Sequence, residues 1–121
     1  MAKVLIVEDD LSLRDVYREA FLQEGFSVET ACEGQEGLEK MASFSPDVML
    51  LDLMMPKVSG FDLLEKVKKD PNLKKIPILV TTNVYADEQD LMQNYGVSNF
   101  LLKTEYEPKQ IVEKARLLIK K

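Results

Sequence analysis

The sequence predicts an α/β fold with a five-stranded parallel sheet, and three observations lead to this prediction. Short apolar runs of strand length alternate five times with stretches whose apolar residues recur at helical spacing. Most of the runs are apolar throughout, as in strands that are covered on both faces. The chain has 121 residues, 45% hydrophobic and 31% charged, which suits one globular domain. We therefore expect a single domain over residues 1–121, with helices on both sides of the sheet.

Five segments are predicted to be strands. Four of them are continuous apolar runs: Val4–Val7, Val48–Leu51, Ile78–Val80 and Phe100–Leu102. The remaining segment, Ser27–Ala31, alternates polar and apolar residues, which indicates an edge strand with one solvated face.

Five stretches are predicted to be helices because their apolar residues lie three and four positions apart. They cover residues 13–21, 38–42, 63–67, 91–95 and 111–119. Gly25 follows the first stretch at the place of a C-terminal capping glycine, and Pro108 precedes the last at the place of a first-turn proline. The fourth stretch has the weakest apolar pattern.

The composition excludes several classes of function. The absence of His excludes a Ser-His-Asp triad, a His-ligated metal site and a phosphohistidine carrier, and the single Cys32 excludes an internal disulfide. We expect Cys32 to be a small buried apolar residue. The net charge of −5, with no basic stripe, disfavours direct binding to nucleic acid. No apolar run is long enough for a membrane span or a signal-peptide core, so we expect a cytoplasmic protein.

Polar side chains follow four of the predicted strands. In a parallel sheet the carboxyl ends of the strands lie at one edge, which is where such folds bind ligands. We therefore expect these side chains to line one site. The polar segments are Glu8-Asp9-Asp10, Asp52, Thr81-Thr82-Asn83 and Lys103-Thr104.

The charges at this edge indicate a metal site that accepts a phosphoryl group. Glu8, Asp9 and Asp52 sum to −3, and carboxylates crowded together favour a hard divalent cation such as Mg2+. With one Mg2+ and Lys103 the local sum is zero, so a phosphoryl group is no longer repelled. Asp52 is ionised at neutral pH and can attack phosphorus without a general base, which suits a chain that lacks His.

Each of these residues also has a plainer interpretation. The acidic segment after the first strand could cap the first helix, and Asp52 could form a turn. Thr82 could be an ordinary strand-end residue, Lys103 a surface lysine and Phe100 a core aromatic. The functional interpretation depends on four strand ends supplying complementary chemistry at one edge.

The order and spacing of these motifs resemble the response regulator receiver domain of two-component signalling, over essentially the whole chain. The similar segments are Val4-Leu5-Ile6-Val7-Glu8-Asp9-Asp10, Asp47–Pro56 followed by Ser59-Gly60-Phe61, Pro77–Thr82 and Phe100–Lys103. The resemblance implies a flavodoxin-like fold with strand order 2-1-3-4-5. It also implies a signalling switch rather than an enzyme.

The resemblance implies a role for each site residue. Asp52 matches the phosphoacceptor; Asp9 and Glu8 match the acidic pair that holds Mg2+, Asp9 directly and Glu8 through water. The Met54 carbonyl is the further metal ligand that it implies. Three more residues match positions that respond to the phosphoryl group: Thr82 the hydroxyl that bonds it, Lys103 the lysine that pairs with it and Phe100 the aromatic switch. Two departures are Thr104, where the family usually has a cis proline, and Asn83, where it usually has a small residue.

The implied partner is a sensor histidine kinase or a histidine phosphotransfer protein. The implied output is a downstream protein or a second copy, bound through the face formed by the predicted helix at 91–95, the strand at 100–102 and the helix at 111–119. We expect no output domain, no nucleic acid contact and no membrane insertion. The alternatives are a receiver-like scaffold that no longer takes phosphate, an Asp-nucleophile phosphatase and a flavin-binding module. The last is disfavoured because Glu8-Asp9-Asp10 would repel a flavin phosphate.

Overall fold

The computed structural model describes residues 2–53, 60–82 and 99–119. Five strands form one sheet: β1 (Lys3–Val7), β2 (Ser27–Ala31), β3 (Val48–Asp52), β4 (Ile78–Thr82) and β5 (Phe100–Leu102). Four α-helices lie in the described ranges: α1 (Leu11–Gln23), α2 (Gly34–Phe44), α3 (Gly60–Lys69) and α4 (Pro108–Leu118). Short 3₁₀ helices cover Leu73–Lys75 and Lys103–Glu105. The predicted helix over 91–95 lies outside the described residues.

The sheet is parallel throughout, with the order β2-β1-β3-β4-β5. This confirms both the α/β fold class and the strand order that the resemblance implied. β2 is an edge strand, as its alternating sequence predicted. Because every strand runs the same way, the residues that follow β1, β3, β4 and β5 all lie at one edge of the sheet.

Two apolar layers cover the two faces of the sheet. Alternate residues of β1 enter opposite layers: Leu5 and Val7 pack into the layer with α2 and α3, and Val4 and Ile6 into the layer with α1 and α4. All four of these β1 side chains are buried. Burial on both faces is the physical reason why the strand sequences are apolar without alternation.

The helix ends agree with the predicted signals. Gly25 lies just past α1 with a φ of 86°, a left-handed conformation that favours glycine. Asp10 caps α1 through a 3.0 Å hydrogen bond that the Leu13 amide donates to Asp10 Oδ1, so the helix-capping interpretation was right for this residue. Pro108 is the first residue of α4.

Cys32 corrects one prediction. It was expected to be buried, but it is exposed in the segment between β2 and α2. Its amide and its thiol both donate to Glu36 Oε1, at 2.8 and 3.3 Å. The sequence prediction failed because Cys is usually buried, while here its position follows β2 rather than facing the core. Among the described residues, no helix is both long and apolar enough to span a membrane.

Candidate functional site

Asp52 is the last residue of β3 and lies in the centre of the edge where the polar segments were expected. Its exposed fraction is only 3%. β3 is flanked by β1 and β4, so the Asp52 carboxylate has neighbours from both sides of the sheet. The start of α3 approaches it closely, because the Gly60 amide donates a 3.0 Å hydrogen bond to the Leu53 carbonyl.

Glu8 lies beside Asp52 and is more deeply buried, with an exposed fraction of 1%. It directly follows β1, and its amide donates to the Ala31 carbonyl of β2 at 3.0 Å. Its two carboxylate oxygens accept separate hydrogen bonds. Lys103 Nζ donates to Oε1 at 2.6 Å and the Asp10 amide donates to Oε2 at 3.2 Å.

Lys103 joins the two buried carboxylates. Its Nζ lies 2.6 Å from Glu8 Oε1 and 3.1 Å from Asp52 Oδ2, and its side chain is 10% exposed. The plain interpretation of Lys103 as a surface lysine is therefore wrong. One ammonium group compensates only one of the two carboxylates, so the site keeps an excess of negative charge when both are ionised.

The burial of these charges shifts their pKa values. Desolvation raises the pKa of the Glu8 carboxyl to about 7; the Lys103 hydrogen bond opposes this rise and the Asp52 charge adds to it. Desolvation lowers the pKa of Lys103, but the hydrogen bond that Lys103 donates to Glu8 and the charges of both carboxylates outweigh this effect, so the pKa of Lys103 is raised. Lys103 therefore stays protonated.

Asp9 completes the acidic cluster and differs from the other two carboxylates in being exposed. One carboxylate oxygen from each of Glu8, Asp9 and Asp52 lies within 4.8 Å of the others. Carboxylate oxygens with excess negative charge, one of them exposed to solvent, are the chemistry that Mg2+ prefers, since Mg2+ takes one or two carboxylates and keeps several waters. The residues present fit Mg2+.

The other predicted site residues are described only in part. The backbone of Thr82 pairs with Leu102, one residue before Lys103, so both strand ends lie next to each other. Met54, Asn83 and the side chain of Thr82 lie outside the described parts of the chain. Phe100 is half-buried at the start of β5 and packs against the apolar layer that includes Leu51 and Val80. Thr104 lies in the 3₁₀ helix Lys103–Glu105.

Two residues near the site were not predicted from the sequence to be site residues. Arg14 Nη1 donates to the Glu8 carbonyl at 3.1 Å. Tyr17 is 2% exposed, and burial together with the charges of Glu8 and Asp52 raises the pKa of its phenol. Both lie on α1, at helical positions that sequence patterns attribute to surface and core. Only their tertiary contacts connect them to the acidic edge.

The arrangement can hold a divalent cation and a phosphoryl group beside a buried carboxylate. Residues 4–116 match the family model described as the response regulator receiver domain. The chain belongs to the response regulator receiver family. Receiver domains are signalling switches that histidine kinases phosphorylate, and they bind Mg2+ at an acidic pocket.

The chain is also similar to parts of longer curated proteins. The chain is 28% identical over 123 residues to the DNA-binding dual master transcriptional regulator RpaA of Synechocystis, and covers 50% of that protein. It is 39% identical over 103 residues, 83% of this chain, to hybrid signal transduction histidine kinase D of Dictyostelium discoideum, of which it covers 6%. The receiver chain thus spans half the length, or less, of these curated relatives.

Solved structures match the receiver domain over nearly its whole length. The chemotaxis protein CheY4 of Vibrio cholerae is 30% identical with a TM-score of 0.88, and the match covers 98% of this chain and 99% of that one. A CheY-like receiver domain protein of Methanospirillum hungatei is 27% identical with a TM-score of 0.85, over 97% of this chain and 92% of that one.

Proposed function

We propose that this receiver domain is a phosphorylation-dependent switch in which Asp52 accepts a phosphoryl group from a phosphohistidine. The observation that carries the proposal is the buried Asp52 carboxylate, 3.1 Å from Lys103 Nζ and grouped with Glu8 and Asp9. One receiver domain occupies residues 1–121 in this proposal. The phosphodonor is a sensor histidine kinase or a histidine phosphotransfer protein.

In the transfer step, an Asp52 carboxylate oxygen attacks phosphorus. An O–P bond forms, the N–P bond of the phosphohistidine breaks, and the donor imidazole leaves with the electron pair and takes up a proton. Lys103 is within ion-pair distance of Asp52, so its ammonium offsets charge that develops on the phosphoryl oxygens. In the proposal the Thr82 hydroxyl bonds one of those oxygens.

Glu8, Asp9, Asp52 and the Met54 carbonyl are the residues that we propose for the Mg2+ site. When bound, Mg2+ neutralises charge on the transferring phosphoryl group. The hydrogen bonds of Glu8 suggest a division of roles between the acids. Both Glu8 oxygens already accept hydrogen bonds, from Lys103 and from the Asp10 amide, so Glu8 acts through water. Asp9 is exposed and takes the metal directly.

The proposed output is a change at β5 and α4, which belong to the face that the resemblance assigns to residues 91–95, the strand at 100–102 and the last helix. In the proposal, the Thr82 hydroxyl moves toward the phosphoryl group and leaves space behind it. Phe100, which is half-buried on the neighbouring strand, can enter that space. β4 and β5 pair directly here, Val80 with Phe100 and Thr82 with Leu102, so a change at the end of β4 acts on a neighbouring strand. A downstream protein or a second copy binds this face in the proposal.

The test is the intact mass after incubation with a small phosphoramidate, with and without Mg2+. We expect the wild-type chain to gain one phosphoryl group only with Mg2+, and Asp52→Asn to gain none. Asp15→Asn, which alters an exposed α1 carboxylate, is the matched control and should behave as wild type. Uptake by a folded Asp52→Asn variant would overturn the acceptor assignment. Rapid loss of the adduct with repeated turnover would indicate a phosphatase, and no uptake by the wild type would indicate a scaffold.

A further inference from the structure

The segment that joins β1 to α1 is anchored through Glu8. Its amide donates to the Ala31 carbonyl, and its two carboxylate oxygens accept hydrogen bonds from Lys103 and from the Asp10 amide. The remaining group is the Glu8 carbonyl. The pairing of β1 with β3 ends one residue earlier, at Val7 and Leu51, so this carbonyl lies beyond that ladder.

Asp9 has no such anchors of its own. Its side chain is exposed, and it makes no hydrogen bond or ion pair with any residue in the described ranges. The position of its carboxylate, within 4.8 Å of those of Glu8 and Asp52, is therefore set by the main chain on either side of it. On the C-terminal side, Asp10 caps α1 and is held by the helix.

Arg14 holds the N-terminal side. Its Nη1 donates to the Glu8 carbonyl at 3.1 Å, and its own amide donates to the Asp10 carbonyl at 2.8 Å as part of the first turn of α1. Arg14 thus contacts the main chain on both sides of Asp9, through its side chain at Glu8 and through its amide at Asp10. The peptide unit between Glu8 and Asp9 cannot rotate without breaking the Arg14 contact.

We infer that Arg14 is a positioning residue for the metal site: its hydrogen bond to the Glu8 carbonyl keeps the Asp9 carboxylate beside those of Glu8 and Asp52. The inference rests on the proposed Mg2+ site. Arg14 touches neither the metal nor the phosphoryl group in it. It acts through the main chain, as residues behind the direct ligands do in other metal sites.

Charge and position have opposite effects here, which makes the inference testable. Arg14 is a cation close to a cation site, so replacing it with a neutral residue strengthens Mg2+ binding if charge alone matters. If Arg14 positions Asp9, the same replacement weakens Mg2+ binding. The direction of the change therefore distinguishes the two.

The experiment is a Mg2+ titration of the full chain, followed by the backbone amide NMR shifts of residues 8–10. The variants are Arg14→Gln and Arg14→Lys. The matched control is Arg18→Gln, which removes the same charge from an α1 arginine that pairs with the exposed Glu19 at 3.6 Å. We expect Arg14→Gln to raise the dissociation constant on the order of tenfold, Arg14→Lys to raise it less and Arg18→Gln to leave it nearly unchanged. In the metal-free protein, the amide hydrogens of Asp9 and Asp10 should exchange with solvent faster in Arg14→Gln than in Arg18→Gln.

An unchanged or lower dissociation constant in Arg14→Gln overturns the inference. If that variant does not fold, as judged by its urea unfolding, an unchanged constant in Arg14→Lys overturns it instead. A wild-type chain that shows no Mg2+-dependent shifts refutes the proposed metal site itself. That result differs from one in which the wild type and Arg14→Gln bind Mg2+ equally well, which refutes only the role of Arg14.

Discussion

The amide of Gly60 lies 3.0 Å from the carbonyl oxygen of Leu53, and this contact brings the start of α3 against the end of β3, directly beside Asp52. The approach leaves no room for a side chain. A Cβ atom on Gly60 would lie 2.5 Å from Leu53 Cα and 2.6 Å from the Asp52 carbonyl oxygen, which are both backbone atoms. Gly60 is therefore required by close packing next to the proposed phosphoacceptor.

Gly60→Ala should lower the free energy of unfolding by about 1–3 kcal/mol, because the clash is with backbone that cannot rotate away. Gly37→Ala is the matched control. Its Cβ would meet side-chain atoms of Leu63 and Val7 at 3.1 Å, which can give way, and alanine favours the helix by up to about 1 kcal/mol. Urea unfolding of both variants checks the difference. Equal losses would show that the contact at Gly60 is not special.

Lys103→Met should destabilise the metal-free protein by about 3–5 kcal/mol at pH 8, since it leaves Glu8 and Asp52 buried without their shared cation. At pH 5 the loss should be smaller because the raised pKa of Glu8 lets it take up a proton. Lys114→Met, an exposed lysine 5.2 Å from the Tyr106 ring centre, should cost about 1 kcal/mol or less. Similar losses of unfolding free energy in the two variants would contradict a stabilising role for the buried ion pairs of Lys103 with Glu8 and Asp52.

The pKa of Glu8 predicts a pH dependence of the metal-free protein. Burial raises this pKa from 4.5 to about 7, so the folded state binds the proton more tightly than the unfolded state. The stability that this group contributes is present below pH 4.5 and is lost as the pH rises to about 7. Glu8→Gln should remove this component. Urea unfolding from pH 4 to 8 in a chelator tests it, and identical pH slopes in wild type and variant would refute it.

Cys32 should react slowly with alkylating agents despite its exposure. The hydrogen bond from its thiol to Glu36, with added desolvation and the Glu36 charge, raises its pKa and keeps it in the unreactive thiol form. Glu36→Gln should therefore speed alkylation at pH 8. Glu39→Gln, one turn further along α2, is the control. Since Cys32 is the only cysteine, the intact mass reports the rate directly, and equal rates would exclude the proposed effect of Glu36.

Phosphorylation should change the environment of β5 and α4. Beryllofluoride with Mg2+, a mimic of the phosphoryl group, should shift the backbone amides of residues 100–102 and 108–118 as well as those around Asp52. Thr82→Ala should still accept a phosphoryl group at Asp52 but show smaller shifts at this face. Shifts confined to the surroundings of Asp52 in the wild type would show that the proposed coupling is absent.

Local patterns were sufficient for the fold class and for the edge that holds the site, while the strand order was implied only by the resemblance to the receiver family. The apolar runs of β1 and β3 predicted strands buried on both faces, and the parallel direction of the strands predicted that Glu8, Asp52 and Lys103 lie at one edge of the sheet. The capping roles of Asp10, Gly25 and Pro108 were also local, because they depend on backbone conformation within one helical turn. The prediction that Cys32 is buried was wrong because the exposure of this residue depends on where the chain turns after β2.

By itself, the sequence determined which residue types meet at the edge of the sheet, since strand direction and apolar periodicity are properties of short segments. Only the tertiary structure decided how these groups share their contacts. Lys103 lies 95 residues from Glu8 along the chain, and its 2.6 Å bond to Glu8 could not be inferred from spacing. The same holds for Arg14 at the Glu8 carbonyl and for Gly60 against Leu53. These contacts depend on the distance between packed elements, and packing distances are set by the whole core rather than by any one segment.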